Sequence, residues 1–162
     1  MGKKLTHIDH SGNPHMVDVS SKASTPRTAR AQATLKVSKE ILAQIKNQEL
    51  ITKKGSVFQT AILAGVMGAK KTSELIPLCH PLSMENCQVG IQVKNNKIVI
   101  DTLATITGKT GVEMEALTSA SVAALTIYDM CKGVDTTITL EQAYVARKSG
   151  GKSGTVEFDP ES

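Results

Sequence analysis

The chain has 162 residues, 40% of them apolar and 21% charged, which suits one globular domain and argues against a fully disordered chain. It contains two Tyr, two Phe and no Trp, so the core must be aliphatic and recognition mainly by ring stacking is disfavoured. A formal charge of +4 favours anionic partners without specifying the anion.

Residues 1–24 are polar, with Gly12-Asn13-Pro14 as a turn, and read as a flexible arm. From Thr28 the pattern becomes strict. Ala29, Ala31, Ala33, Leu35 and Val37 alternate with polar residues, the period of a half-buried strand. Ser38 can cap a short helix carrying Ile41, Leu42 and Ile45. Ser56 and Gln59 form a capping-box pattern ahead of a second helix through Phe58, Ile62, Val66 and Met67. After a loop bracketed by Pro77 and Pro81, alternation returns at Cys87, Val89, Ile91 and Val93. Asn95-Asn96 then predicts a tight hairpin turn into Ile98–Ile100.

Thr110 and Glu113 repeat the capping-box pattern before the longest helical stretch. Ala116, Ala120, Ala123, Ala124, Ile127 and Cys131 line one side of it, with Gly133 as a C-cap. A last strand is expected within Ile138–Arg147, with a bulge where its parity shifts near Gln142. From Ser149 to residue 162 the tail is Gly- and Ser-rich. This order predicts one α+β domain over 1–162, a ferredoxin-like antiparallel sheet with helices packed on one face. Cys79, Cys87 and Cys131 are too few and too scattered for a disulfide scaffold. With no secretory h-region and no apolar run of membrane-spanning length, the chain reads as cytoplasmic, without a membrane partner.

Several segments could carry chemistry. Lys53-Lys54-Gly55-Ser56 at a helix N-terminus suits a phosphate, or is a solvated loop with an ordinary cap. Thr107-Gly108-Lys109-Thr110-Gly111 mimics the end of a P-loop, but Leu103 stands where the upstream glycine is required. A simpler anion contact through Lys109 remains open beside a plain capping turn. Asp129 and Lys132 are three apart on one helix face, as a surface ion pair or, in a cleft, an acid/base couple. Glu115 lies fourteen residues earlier, roughly 21 Å along the axis. One small ligand cannot touch both ends of one helix, so a site using both must combine subunits.

Leu78-Cys79-His80-Pro81 offers a histidine donor or proton carrier; adjacent Cys and His have the wrong spacing for a metal clip. His7, His10 and His15 form a weak metal-cluster pattern on the arm, and no metal site is expected there. Ser149–Gly154, with Lys152, is either linker or a loop that closes over phosphate.

Leu5–Asp9, His15–Ser20, Leu75–Leu82, Thr107–Lys132 and Ser149–Gly154 together resemble the MoaC family over almost the whole chain. The resemblance implies a ferredoxin-like subunit in a homohexamer, a trimer of dimers with active sites at subunit interfaces. It implies a lyase of molybdenum cofactor biosynthesis acting after a radical-SAM GTP cyclase. The reaction converts (8S)-3′,8-cyclo-7,8-dihydroguanosine 5′-triphosphate to cyclic pyranopterin monophosphate and releases pyrophosphate. It assigns catalysis to Asp129, Lys132 and Lys54. Substrate binding falls to Leu78, Cys79, His80, Met114 and Glu115, with Glu113, Arg27, Lys109 and Lys152. No resident cofactor is implied; whether Mg²⁺ accompanies the triphosphate stays open. Two other classes of function stand beside this one. An RNA-recognition domain would stack bases on sheet aromatics, which the predicted central strands lack. A non-catalytic nucleotide sensor would keep the phosphate contacts without needing Asp129.

Overall fold

The structure, a computed structural model, describes residues 7–9 and 11–160. Strands β1 (Thr25–Lys36), β4 (Asn86–Lys94), β5 (Lys97–Gly108), β6 (Thr139–Ser149) and β7 (Val156–Glu157) form one antiparallel sheet in the order β4-β5-β1-β6-β7. Helices α1 (Lys39–Gln44), α2 (Val57–Lys70), α3 (Thr72–Leu75) and α4 (Glu113–Cys131) pack against it. A small hairpin of β2 (Ile51–Thr52) and β3 (Gly55–Ser56) precedes α2. The expected α+β, ferredoxin-like architecture is present.

Alternation in β1 sends Ala29, Ala31, Ala33 and Leu35 toward the helices, each 0–1% exposed. The opposing side of α4 presents Ala116, Ala120, Ala123 and Ala124, equally buried. Small side chains on both surfaces let the helix lie close to the sheet. Ile98, Ile100 and Ile106 of β5 complete the core, each contributing about 2 kcal/mol through burial. Of the apolar residues that mark α2 in the sequence, Phe58 is buried, but the buried side continues through Ala61, Gly65 and Gly68, while Met67 is 59% exposed. Close crossing with α4 explains this, since a Cβ on Gly68 would come within 2.8 Å of Val122.

The β4–β5 hairpin turns on Asn95 and Asn96 at φ 51° and 59°, the left-handed pair of a type I′ turn. The parity shift in β6 is a bulge at Glu141, and a second irregularity skips Ala146. β6 continues to Ser149, which pairs with Thr28, so the first residue of the tail belongs to the sheet. The tail then returns as β7, an element without a sequence pattern. β1 starts at Thr25, three residues before the alternation is evident.

Capping departs from local expectation. Ser38 does cap α1, accepting from Ile41 N–H at 3.3 Å. Ser56 makes no side-chain cap to α2; the Glu49 carboxylate accepts from Phe58 and Gln59 N–H instead, at 2.8 and 3.1 Å. At α4 the cap position is Val112, without a side-chain bond, and Glu113 pairs with Lys148. Lys132 is the C-cap, and Gly133 is not in the left-handed region. β1, β4 and β5 carry no aromatic side chain; Tyr144 stands on β6 and donates to Gln32. Among the described residues no helix is long and apolar enough to cross a membrane.

Candidate active site

α4 carries Glu113, Met114, Glu115 and Asp129, and the other candidate residues gather about its two ends. Nineteen residues span about 28 Å, and a chemically distinct cluster stands at each end.

At the C-terminal end, Asp129 accepts from Lys132 Nζ at 2.7 Å and from Lys54 Nζ at 2.8 Å, one lysine on each carboxylate oxygen. Lys54 also donates to the Asp129 carbonyl at 2.9 Å. The hydrogen bonds from Lys132 and then Lys54 hold the Asp129 carboxyl at about 2, and Asp129 in turn raises Lys132. All three side chains are half exposed. The Lys132–Asp129 couple is therefore present, but burial, which would tune a lysine downward, is absent in the single chain. As it stands, Asp129 is a fixed anion and Lys132 a fixed cation.

The helix N-terminus beside Lys53 and Lys54 is not the anion site that their spacing suggests. Glu49 already occupies the N–H groups of Phe58 and Gln59, and Leu50 O accepts from Val57 N–H. Lys54 is directed to Asp129 instead.

At the other end of α4 two adjoining clefts open. The larger, about 700 Å³, sets Lys22, Arg27, Lys109, Lys148 and Lys152 against the single carboxylate of Glu113. Such a surplus of positive charge in a concave wall draws polyanions. Arg27 is fixed by donating from Nε to Gly108 O at 3.0 Å and from Nη2 to Lys109 O at 3.4 Å. Lys148 pairs with Glu113 at 2.8 Å, both about one-third exposed. Gly150 and Gly151, at φ 97° and 70°, wrap the Gly-rich loop over Arg27.

The smaller cleft, about 340 Å³, is lined by Leu78, Cys79, His80, Met114 and Glu115. It shares Lys22, Thr110, Gly111 and Glu113 with its neighbour. Glu115 is only 4% exposed, and burial, with the nearby Glu113 charge, raises its carboxyl against a bond from its own N–H. Burial and Glu115 also push the Cys79 thiol up. A thiol held away from ionisation is a weaker nucleophile. His80 Nε2 lies 2.8 Å from Val17 O. A carbonyl only accepts, so Nε2 carries the proton and the ring is aimed by the arm. Lys109 Nζ likewise donates to Ser20 O at 2.8 Å.

Every residue to which the family resemblance gives a role thus falls in one of two groups. Lys54, Asp129 and Lys132 meet at one end of α4; Arg27, Leu78–His80, Lys109, Glu113–Glu115 and Lys152 gather at the other. The sequence reading missed Lys22 and Lys148. Lys148 had one available signal, its place at the end of a strand that runs straight into the Gly-rich loop. His7 lines the smaller cleft, whereas His10 lies outside the described residues. Among the described residues no three or more His, Cys, Asp or Glu side chains gather as a metal site would require. Residues 16–151 match the model of the MoaC family.

Proposed function

The chain belongs to the MoaC family and so to molybdenum cofactor biosynthesis, and from that premise we propose that it is a cyclic pyranopterin monophosphate synthase. Its substrate is the cyclic 3′,8-linked dihydroguanosine triphosphate supplied by a radical-SAM GTP cyclase, and its second product is pyrophosphate. The observation that carries this reading is the pair of joined clefts. One is cationic and large enough for a triphosphate; the other is smaller and polar-apolar, suited to a guanine-derived ring.

In this mechanism the triphosphate lies along Arg27, Lys109 and Lys152, with Lys22 and Lys148 adding charge. His80, Met114 and Glu115 hold the ring. The reaction opens the purine, rebuilds a pterin, and closes a cyclic phosphate when a hydroxyl oxygen attacks the α-phosphorus. The α–β P–O bond breaks and the electron pair leaves with pyrophosphate, whose charge the cationic wall stabilises. Each rearrangement step moves protons. Asp129 and Lys132 transfer them, and Lys54 assists at the ring or phosphate. The chemistry needs no resident cofactor.

The two clusters lie too far apart to serve one ligand within a chain. We therefore propose a homohexamer, a trimer of dimers, in which one subunit's α4 C-terminal cluster completes its neighbour's clefts. Exposed apolar side chains on the helices, Leu63 and Met67 of α2 and Leu125 of α4, support burial against another copy. Function in the cytoplasm is part of the same reading.

Incubating the intact protein with the cyclic triphosphate, with assays for pyrophosphate and pterin product, tests the proposal. Turnover should fall at least about a hundredfold in both Lys54→Ala and Lys132→Ala, as expected for lost acid-base groups. Normal turnover in both variants would refute the mechanism. Triphosphate binding without pyrophosphate release by the unsubstituted protein would identify a nucleotide sensor instead.

A further inference from the structure

We propose that Glu49 is a positioning residue for the Lys54–Asp129 pair, its carboxylate clamping together the two ends of the β2–β3 hairpin that carries Lys54. This rests on the reading of Lys54, Asp129 and Lys132 as the reacting cluster.

The β2–β3 hairpin is too short to hold its own shape. It has two paired positions, Ile51↔Ser56 and Thr52↔Gly55, with Lys53 and Lys54 at its tip. An isolated ladder of this size is not stable in water. Lys54 nevertheless reaches a carboxylate on another element to 2.8 Å, so something must fix the hairpin's base. Glu49 does so from outside the ladder. Its Oε1 accepts from Leu50 N–H on the entering side and from Phe58 N–H on the leaving side, both at 2.8 Å. Its Oε2 accepts from Gln59 N–H at 3.1 Å. One carboxylate thus ties the chain before the hairpin to the chain after it. A negative charge at the start of α2 is also favourable to the helix dipole.

The backbone of Glu49 is itself held. Lys46 N–H donates to Glu49 O and Glu49 N–H to Lys46 O, both at 2.9 Å, around Asn47 and Gln48 at φ 51° and 60°. Leu50, fully buried, accepts from Val57 N–H at 2.9 Å and anchors the same base in the core. The path from Glu49 to the reacting cluster is continuous: tight turn, carboxylate clamp, hairpin, Lys54, Asp129. None of its members between the turn and Lys54 touches the clefts.

A clamp that only stabilises the fold and a clamp that aims Lys54 differ in one observable, the titration of Asp129. Carboxyl NMR titration of Asp129 in Glu49→Ala, alone and combined with Lys54→Ala, separates them. If Glu49 aims Lys54, Glu49→Ala raises the Asp129 pKa from about 2, and adding it to Lys54→Ala changes nothing more. In turnover, kcat falls about ten- to hundredfold, as for a slightly misplaced catalytic group, while KM changes by less than about twofold. Glu49→Gln keeps one acceptor oxygen and recovers part of the loss. It also serves as the test variant where Glu49→Ala does not fold. An Asp129 titration identical to the parent's, or a shift of equal size in the Lys54→Ala background, would overturn the proposal. The titration needs no turnover, so failure of the functional reading leaves it decidable.

Discussion

Replacing Gly151 by Ala tests whether the Gly-rich loop matters as a lid seat for Arg27 or merely as backbone. Gly151 sits at φ 70°, and a Cβ there would collide with Arg27 Nη1 and lie 2.9 Å from its Cζ. The backbone strain of a left-handed alanine costs about 1–2 kcal/mol. The guanidinium is the far end of a flexible side chain, so it yields rather than splitting the fold. Yielding breaks its alignment with Gly108 O and Lys109 O and moves one charged donor out of the cationic cleft. A charge-assisted hydrogen bond to an anion is worth about 1.5–3 kcal/mol, so pyrophosphate affinity should weaken about ten- to hundredfold. Gly154→Ala is the control: its φ is 61°, and nothing lies within 4 Å of the added Cβ. Urea melts should show a comparable stability loss for both variants, while calorimetric titration with pyrophosphate should show weakened binding only for Gly151→Ala. Equal binding in Gly151→Ala and the parent, or an equal loss in Gly154→Ala, would refute the reasoning.

Asp135, 6% exposed, accepts from Thr137 Oγ1 and N–H and from Ser38 N–H, which hold its carboxyl at about 2 against an ordinary 3.8. A depressed carboxyl stabilises the fold above its unfolded pKa and loses that contribution as pH falls toward 2. Urea midpoints between pH 4 and 2 should therefore drop more steeply in the parent than in Asp135→Asn, and parallel curves would contradict the assignment. Mixing separately inactive Glu115→Ala and Lys132→Ala chains, then reassembling them, should restore about a quarter of the sites if each site takes one end of α4 from each of two subunits. No recovery, with mixed oligomers verified by mass, would place both ends in one chain's site.

The parts of the fold legible in the sequence were those whose causes are local and repeated. Ala29, Ala31, Ala33 and Leu35 repeat the same burial four times, and Asn95-Asn96 needs only its own backbone to turn. The separation of Glu115 from Asp129 followed from helical rise alone. Capping failed for the opposite reason. The local pattern Ser56–Gln59 was outcompeted by Glu49, nine residues before Phe58, and Thr110–Glu113 by Lys148, 35 residues after Glu113. Neither competitor has a fixed spacing that a sequence pattern could encode. The tail was undecided for a similar reason: glycines allow a linker or a closing loop, and Gly150 and Gly151 are packed against Arg27, far away in the chain. The cationic cleft was half visible. Lys109 and Lys152 had local patterns that suggested an anion contact and Arg27 came from the family resemblance, while Lys22 and Lys148 join them only through the β1–β6 pairing and the course of the arm.

The electrostatics of the lysine–aspartate cluster bear on why a subunit would keep its reacting groups exposed. In the single chain both shifts run away from neutrality, Asp129 down and Lys132 up. A base that weak and an acid that weak exchange protons poorly near pH 7. Desolvation reverses both tendencies, because removing water penalises the charged form of each group. In the proposed hexamer the clefts at the opposite end of a neighbour's α4 would form such a cover, with the buried Glu115 and a dense set of cations. Covering Lys132 with that surface lowers its pKa through both burial and like charge, moving the ammonium toward a useful acid. In the proposed hexamer, activation would follow from that cover and from a triphosphate whose own charge draws Lys54 and Lys132 away from Asp129.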